Sequence, residues 1–422
     1  MKRLILIMCG SAMLLLLVGF AQAETDIIAD KFTVTLERYN KEEAEMRKFS
    51  YCIQTETGTD LYDQYLLSNV DEILEPLVKD PAYFHAEGCS LDTLQIMKPY
   101  RVVLETEGER TQSEVLNYAV VADDRIVCVI YIFDTEYGLG YNISDYLVDM
   151  LNEYCVGEGN WRVVYHYNGD KAPVVCLEPE QLREEADNSV FFDLSGRYAH
   201  SDNNRINDAL FSFEEASVNA SSQRIQYLLS FITTNTPTRG LSINQNGYKR
   251  LQMSNCLVSQ ANGTNDNCGT ACVCTVYRYR TATSTLGISL AEEINTTLLG
   301  GACPMGTTTG QVGMLNYLMP VASANQYDYR DQSNGCLTHL EVMHNINNCF
   351  PIIYGGYKSQ APNWHAFVLQ GYQMLGSKMR FYYFNPWGYD SVTLYTTEGA
   401  PHHMSDGGIT FEEAGNSVLI EP

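Results

Sequence analysis

Three residues in the C-terminal part of the chain are of the types that carry out nucleophilic catalysis: Cys268, His365 and Asn385. Cys268 follows a polar, glycine-containing loop and begins a mostly apolar stretch, Cys-Gly-Thr-Ala-Cys-Val-Cys-Thr-Val-Tyr-Arg-Tyr. His365 begins His-Ala-Phe-Val-Leu-Gln-Gly-Tyr, and Asn385 begins Asn-Pro-Trp-Gly after the strand-like run Phe-Tyr-Tyr-Phe. A cysteine, a histidine and an asparagine in this chain order predict catalysis by a thiol.

A thiol is a weak nucleophile until it ionises, and a helix N-terminus facing an imidazolium favours the thiolate. We therefore predict that Cys268 begins a helix and that Gly269 lets the chain turn tightly there. His365 would take the thiol proton and later deliver it to the leaving amine. Asn385 would accept a hydrogen bond from the other ring nitrogen and hold the imidazole in place.

Two further residues complete the predicted site. Trp387 would shield the bond between the histidine and the asparagine from water. Gln260 is the predicted side-chain donor of an oxyanion hole, together with the backbone N–H of Cys268.

The three motifs together resemble those of bacterial cysteine peptidases of the streptopain, staphopain and double-glycine-leader groups. The resemblance covers about residues 245–422, and Pro351-Ile-Ile-Tyr-Gly-Gly is similar to the strand that these enzymes place before the histidine hairpin. It implies a papain-like α+β fold, in which the nucleophile helix packs on a twisted antiparallel sheet. It also adds Gly355 and Gly356 to Gly269 and Trp387 as candidates for the substrate cleft. The chain departs from the pattern at Pro386 and in the eight-residue interval between Gln260 and Cys268.

The other cysteines and histidines predict no metal centre and no cofactor. Cys272 and Cys274 are two residues apart, so on a helix they point about 200° from one another and cannot share an ion. No second pair of ligands follows at zinc spacing. His402 and His403 lie in a polar stretch, which favours a solvated position.

The N-terminus has the features of a secretory signal peptide. Met1-Lys-Arg supplies a basic start, residues 4–20 are almost all apolar, and Ala21-Gln-Ala23 is a small-residue cleavage site. We expect residues 1–23 to be removed and the mature protein to be secreted, extracellular or periplasmic, with no membrane span after this segment.

Charge divides the remaining chain into two halves. Residues 24–240, the upstream half, hold 39 acidic against 17 basic residues, whereas residues 241–422, the downstream half, hold 12 against 8. Such an acidic excess argues against nucleic-acid binding, because phosphates would be repelled. It also favours two units of different purpose.

The upstream half predicts an acidic α+β domain over residues 24–182, followed by a polar connecting segment, residues 183–246. Within the α+β domain, we expect a helix over 59–78, strands over 100–104, 117–121, 126–133, 161–167 and 174–177, and a helix over 142–154. Residues 233–246 read as the linker to the papain-like domain, residues 247–422. There we expect strands over 351–357, 365–372, 380–385, 392–395 and 417–420, helices over 290–299 and 337–348, and a cleft-lining loop over 300–310.

These observations predict a secreted cysteine peptidase that acts on proteins or peptides and is made as a zymogen, with the upstream half as an intramolecular pro-region. An accessory domain that stays attached is the alternative for that half. Two other functions remain open on the same fold: an amidase, peptidoglycan amide hydrolase or acyl transferase, and a catalytically silent binding protein.

Overall fold

The structure is a computed structural model of the 422-residue chain. It describes residues 25–28, 33–36, 53–157, 160–167, 174–179, 190–192, 199–200, 222–233, 239–260, 267–320, 330–332, 336–358, 364–395, 402–406 and 409–420. The predicted signal peptide, residues 1–23, and most of the predicted connecting segment lie outside these residues.

The upstream half contains strands and short helices in mixed order. Its strands are β1 (Thr25–Ile28), β2 (Thr33–Leu36), β3 (Thr93–Ile96), β4 (Val103–Thr106), β5 (Glu109–Gln112), β6 (Leu116–Ala122), β7 (Arg125–Thr135), β8 (Gly138–Ser144), β9 (Trp161–Tyr167), β10 (Val174–Pro179), β11 (Val190–Phe192) and β12 (Ala199–His200). Its helices are α1 (Asp60–Ser68), α2 (Val70–Lys79), α3 (Val148–Tyr154) and α4 (Ser222–Leu229), with a 3-10 turn at Pro81–Phe84.

The downstream half begins with a hairpin, continues with helices and ends in strands. Its strands are β13 (Leu241–Gln245), β14 (Tyr248–Leu251), β15 (Arg330–Gln332), β16 (Ile352–Lys358), β17 (Trp364–Leu375), β18 (Lys378–Asn385), β19 (Tyr389–Tyr395), β20 (His403–Asp406) and β21 (Ile409–Leu419). Its helices are α5 (Cys268–Thr281), α6 (Ile288–Leu298), α7 (Thr308–Leu318) and α8 (His339–Asn347).

One large sheet runs through both halves, in the order β1-β2-β3-β6-β7-β8-β19-β18-β17-β16-β21-β15. Among the described strands of this sheet, β2 and β3 pair in parallel and the rest pair antiparallel. The halves join where β8 pairs with β19, with Ser144 opposite Ser391. A second sheet, β12-β11-β10-β9-β4-β5, lies within the upstream half. The chain is therefore an α+β protein with a predominantly antiparallel sheet, as the sequence predicts.

The central strands are buried along most of their length because both faces are covered. Residues 365–373 of β17 are all buried, and such continuous burial favours apolar side chains at successive positions rather than alternate ones. Helix α5 packs against β17. The larger buried cluster contains side chains of both halves, from Ile53 to Ile420, so the two halves share one core.

Polar contacts also cross the junction of the halves. Arg380 of β18 is fully buried, and its guanidinium donates to Glu75 Oε2 of α2 over 2.6 Å. Arg250 of β14 lies 2.7 Å from Asp80 in an ion pair that is also largely buried. Because buried charges need partners, these pairs tie each half to the other.

Several predicted elements are confirmed, among them the strands over 117–121 and 126–133, which pair as the β6–β7 hairpin. Asp123 and Asp124 in its turn both have positive φ, 50° and 59°, as a two-residue type I′ turn requires. The strands predicted over 161–167, 351–357, 365–372, 380–385 and 392–395 are also present, with small shifts at their ends.

Other predicted elements are wrong in part. The helix predicted over 142–154 begins only at Val148, because Asn142 lies in β8 between β7 and β19, where strand pairing decides its conformation. The helix over 59–78 is two helices, and Pro76 lies inside the second. The predicted linker contains β13, which pairs with β14. The strand predicted over 100–104 lies at 103–106, and the predicted loop over 300–310 ends in α7.

In the described part of the chain, no helix combines the length and the apolarity needed to cross a membrane.

Candidate active site

Cys268 is the first residue of α5, and its side chain is half-buried. The unsatisfied N–H groups of a helix N-terminus carry partial positive charge, which favours a thiolate at this position. The start of α5 is fixed by a backbone bond of 2.8 Å from the N–H of Ala271 to the carbonyl of Asn267. The sequence prediction that Cys268 begins a helix is therefore confirmed.

Gly269 is needed for close packing rather than for a special turn. It lies within α5 and is not among the residues of positive φ. A Cβ at this position would lie 2.0 Å from the carbonyl oxygen of Met305 and 2.7 Å from Gln311 Nε2. The predicted tight turn is thus wrong: the absent side chain lets the loop before α7 approach Cys268.

His365 is the second residue of β17, where it pairs with Gly356 of β16. Its side chain is buried, and its Nε2 lies 2.8 Å from Asn385 Oδ1 at the end of β18. The amide oxygen accepts hydrogen bonds only, so Nε2 must carry the proton. The other ring nitrogen, Nδ1, is then the one that can exchange a proton with a thiol.

The orientation of the Asn385 amide is set by its other partners. The backbone N–H of Trp387 donates to Oδ1 over 3.0 Å, which identifies that atom as the oxygen. Nδ2 donates to the hydroxyl of Tyr389 over 2.7 Å. Because each end of the amide is bonded, rotation about its terminal torsion would break these bonds, and the amide is held in the orientation that the imidazole requires.

Aromatic rings surround the imidazole. The indole of Trp387 lies 4.6 Å from it, the ring of Phe367 4.7 Å and the ring of Phe411 5.5 Å, all between centroids. Trp387 is buried. These rings keep water from the bond between His365 and Asn385, which strengthens that bond in a medium of low dielectric constant.

Cys268 and His365 line one cavity of about 510 Å³. One wall comes from α5 and from the loop and first turn of α7, and includes Gly269, Met305, Gly306, Thr307, Thr308 and Gln311. The opposite wall comes from the sheet and includes Ile353, Tyr354, Gly355, Trp364, Ala366 and Asn416. Cys268 and His365 thus face one space from different layers of the fold.

The loop before α7 is fixed by the amides of two buried side chains. Asn295 of α6 donates to the carbonyl of Cys303 and accepts from its N–H, over 2.9 and 3.1 Å. Gln311 of α7 donates to the carbonyl of Met305 over 2.9 Å. The sequence predicts this loop, which contains Met305, in the cleft. It does not single out Gln311, Trp364 or Asn416, since no local pattern distinguishes a lining residue from a core residue.

The remaining predicted residues divide between the cavity and its supports. Gly355 lines the cavity, and a Cβ there would lie 3.2 Å from the half-exposed indole of Trp364. Gly356 does not line it: a Cβ there would lie 3.0 Å from the ring of Phe367. Trp387, also expected in the cleft, instead lies against His365. Both are therefore supports of the site.

Gln260 lies beside the turn that carries Asn385, because its backbone N–H donates to the carbonyl of Pro386 over 2.5 Å. Its side chain is buried and is not among those that line the cavity. Its role as an oxyanion donor stays a prediction.

Other thiols differ from Cys268 in their surroundings. Burial raises the pKa of Cys272 well above that of an ordinary thiol, and burial raises the pKa of Cys274 to about 12. Both are therefore protonated core residues. None of the eleven cysteines that the structure describes forms a disulfide.

His402 is fully buried against the rings of Phe381 and Tyr354. The predicted solvated position of this residue is therefore wrong. Burial, with a smaller effect of His403, lowers the pKa of His402 to about 3. It is a neutral core residue.

A second group of metal-binding residue types lies on the smaller sheet. The ligand atoms of His166, Cys176 and Glu178 are within 4.8 Å of one another. Arg110, however, donates to both oxygens of Glu178 over 2.6 and 2.8 Å. Glu105 lies 3.3 Å from His166 Nδ1. The carboxylate of Glu178 is therefore already paired with Arg110.

Comparison of the chain with protein-family models and with curated proteins finds no match.

Proposed function

We propose that this protein is a secreted cysteine peptidase with a papain-like catalytic half. The observation that carries the proposal is the arrangement of His365: its Nε2–H is engaged by Asn385, while the residue lines the same cavity as Cys268 at a helix N-terminus. The order of the motifs along the chain and their resemblance to streptopain-type peptidases support the same reaction.

The reaction begins with transfer of the Cys268 thiol proton to His365 Nδ1. The thiolate attacks the scissile carbonyl carbon, and a carbon–sulfur bond forms while the carbonyl π electrons move to oxygen. When the tetrahedral intermediate collapses, the carbon–nitrogen bond breaks and the imidazolium gives its proton to the leaving amine. A thioester to Cys268 remains.

Hydrolysis of the thioester repeats these steps with water. His365 Nδ1 takes a proton from the water as its oxygen attacks the carbonyl carbon, and the carbon–sulfur bond then breaks. The thiolate recovers the proton, and the carboxylic acid leaves. Throughout, Asn385 keeps Nε2 protonated and the ring in place, and the helix N-terminus stabilises negative charge on sulfur.

Two variants of neighbouring cysteines test the proposal. Purified protein is incubated with denatured casein and with fluorogenic peptides, and the products are identified by mass spectrometry. Cys268→Ala is expected to abolish cleavage, whereas Cys272→Ala, one helical turn further along, is expected to retain it. Equal loss in both variants, or none in Cys268→Ala, would reject the assignment.

The same assay separates the alternatives. Release of amines from cell-wall fragments without protein cleavage would indicate a peptidoglycan amidase, and transfer of the acyl group to added amines would indicate a transferase. If iodoacetamide labels Cys268 no faster than an ordinary thiol and no substrate is cleaved, the fold serves binding instead.

The zymogen hypothesis is tested by cleavage in the 233–247 segment, which should raise the activity of an inhibited precursor. In the described part of the chain, the residues that line the cavity all come from positions 268–416.

A further inference from the structure

The turn that carries the catalytic asparagine is held from the upstream half. Asp390, the second residue of β19 after this turn, donates its backbone N–H to Asp145 Oδ1 over 3.0 Å. The hydroxyl of Ser144 donates to the carbonyl of Asp390, also over 3.0 Å. Both polar groups of this one peptide segment are therefore bonded to consecutive residues of the upstream half.

Tyr146, which follows Asp145 in the upstream half, contacts the site through its aromatic ring. Tyr146 is buried, and its ring lies 4.0 Å from that of Tyr389 with an interplanar angle of 32°. The hydroxyl of Tyr389 is the acceptor for Asn385 Nδ2, and Asn385 Oδ1 in turn bonds His365. A chain of direct contacts thus runs from Tyr146 to the imidazole.

We propose that Tyr146 is a positioning residue of the active site, and that the upstream half is accordingly a permanent part of the catalytic unit rather than a detachable pro-region. This inference rests on the proposed thiol chemistry. It differs from that chemistry in assigning a role to a residue outside the region of family resemblance.

The contacts at the junction explain why the halves stay together after the connecting segment is cut. Strand β8 pairs with β19 in the shared sheet, and the fully buried Arg380 bonds Glu75. The hydroxyl of Tyr83 lies 3.0 Å from the carbonyl oxygen of Tyr383 and 3.1 Å from that of Ser391. None of these contacts depends on covalent continuity near residue 238, so cleavage there would leave both halves associated.

The first test uses point variants of the full chain. In Tyr146→Ala the stacked partner of Tyr389 is lost, and we expect kcat to fall on the order of tenfold with KM changed by less than about twofold. Tyr146→Phe keeps the ring and should restore most of the activity. Tyr118→Ala is the matched control: it removes another fully buried tyrosine of the same half, one that belongs to a separate buried cluster with residues of α1 and α2.

A second readout does not depend on knowing the substrate. The rate of Cys268 alkylation by iodoacetamide is followed against pH in wild type and variants, because a displaced imidazole changes the pH at which the thiolate forms. The profile should shift in Tyr146→Ala and stay unchanged in Tyr146→Phe and Tyr118→Ala.

These measurements distinguish the two hypotheses. If Cys268 of the wild type reacts as an ordinary thiol, the proposed function fails. If wild-type Cys268 is activated but Tyr146→Ala leaves kcat and the alkylation profile unchanged, the role of Tyr146 is rejected. Equal losses in Tyr118→Ala would reject it as well, since the effect would then be one of general stability.

The lasting association of the two halves is tested in a full chain with a specific protease site in place of residues 235–238. After cleavage, both fragments should elute together in size-exclusion chromatography and retain the alkylation profile of activated Cys268. Separation of the fragments, with full activity in the downstream one, would overturn the inference.

Discussion

Replacement of Gly269 by alanine tests the packing between the nucleophile helix and the loop before α7. The added Cβ would lie 2.0 Å from the Met305 carbonyl oxygen and 2.7 Å from Gln311 Nε2. Carbon and oxygen atoms in contact are more than 3 Å apart, so helix and loop must separate by roughly 1 Å. The oxygen belongs to the backbone, so no side-chain rotation can relieve this contact.

Two effects of opposite sign set the magnitude. Alanine within a helix is favoured over glycine by about 1 kcal/mol. Overpacking of a well-packed site costs typically about 1–3 kcal/mol, and the upper end applies here because backbone must move. We therefore expect Gly269→Ala to lower the free energy of unfolding by about 2 kcal/mol. Gly306→Ala is the control, since Gly306 lines the same cavity and a Cβ there would meet nothing within 4 Å.

The free energy of unfolding is measured by urea denaturation, and the site is probed by the rate of Cys268 alkylation. Gly269→Ala should reduce both, whereas Gly306→Ala should change stability by less than about 0.5 kcal/mol. A Gly269→Ala protein as stable and as reactive as wild type would show that the helix and the loop do not approach as described.

Three further predictions concern the supports of the site and the junction. His365→Ala should remove nearly all turnover and Asn385→Ala only part of it, because the imidazole transfers protons and the amide orients it; equal losses in a steady-state assay would contradict this. Burial and a neighbouring carboxylate raise the pKa of Asp390, so the folded protein binds this proton more tightly than the unfolded chain. The resulting stabilisation is fully present below about pH 4 and is lost as pH rises through the raised pKa. Asp390→Asn should flatten that decline in urea unfolding, and an unchanged slope would show that the pKa of Asp390 is not raised. Glu75→Gln leaves the buried guanidinium of Arg380 without its carboxylate. It should lower the free energy of unfolding by about 2 kcal/mol, a value that allows for the partial exposure of the glutamate. A loss below about 0.5 kcal/mol in the same assay would show that the pair does not hold the halves together.

The places of Cys268, His365 and Asn385 in the secondary structure were predictable from the sequence because each residue stands beside a local pattern. Cys268 precedes an apolar stretch of helix length, and it does begin a helix. His365 and Asn385 each border a run of apolar and aromatic residues, and each lies near the end of a strand, within one hydrogen bond of the other. The apolar runs predict central strands because both faces of those strands are covered.

Tertiary structure alone decided which elements meet. The sequence divides by charge into two halves, yet β8 pairs with β19 and makes one sheet of both. The unpaired backbone groups of an edge strand bond to any strand edge that packing brings beside them. The need for glycine at position 269 arises from a loop more than thirty residues away in the chain. Tyr146 reaches Tyr389 only because the sheet is continuous. Such contacts join residues with no shared local pattern, so they become visible only when the chain is folded.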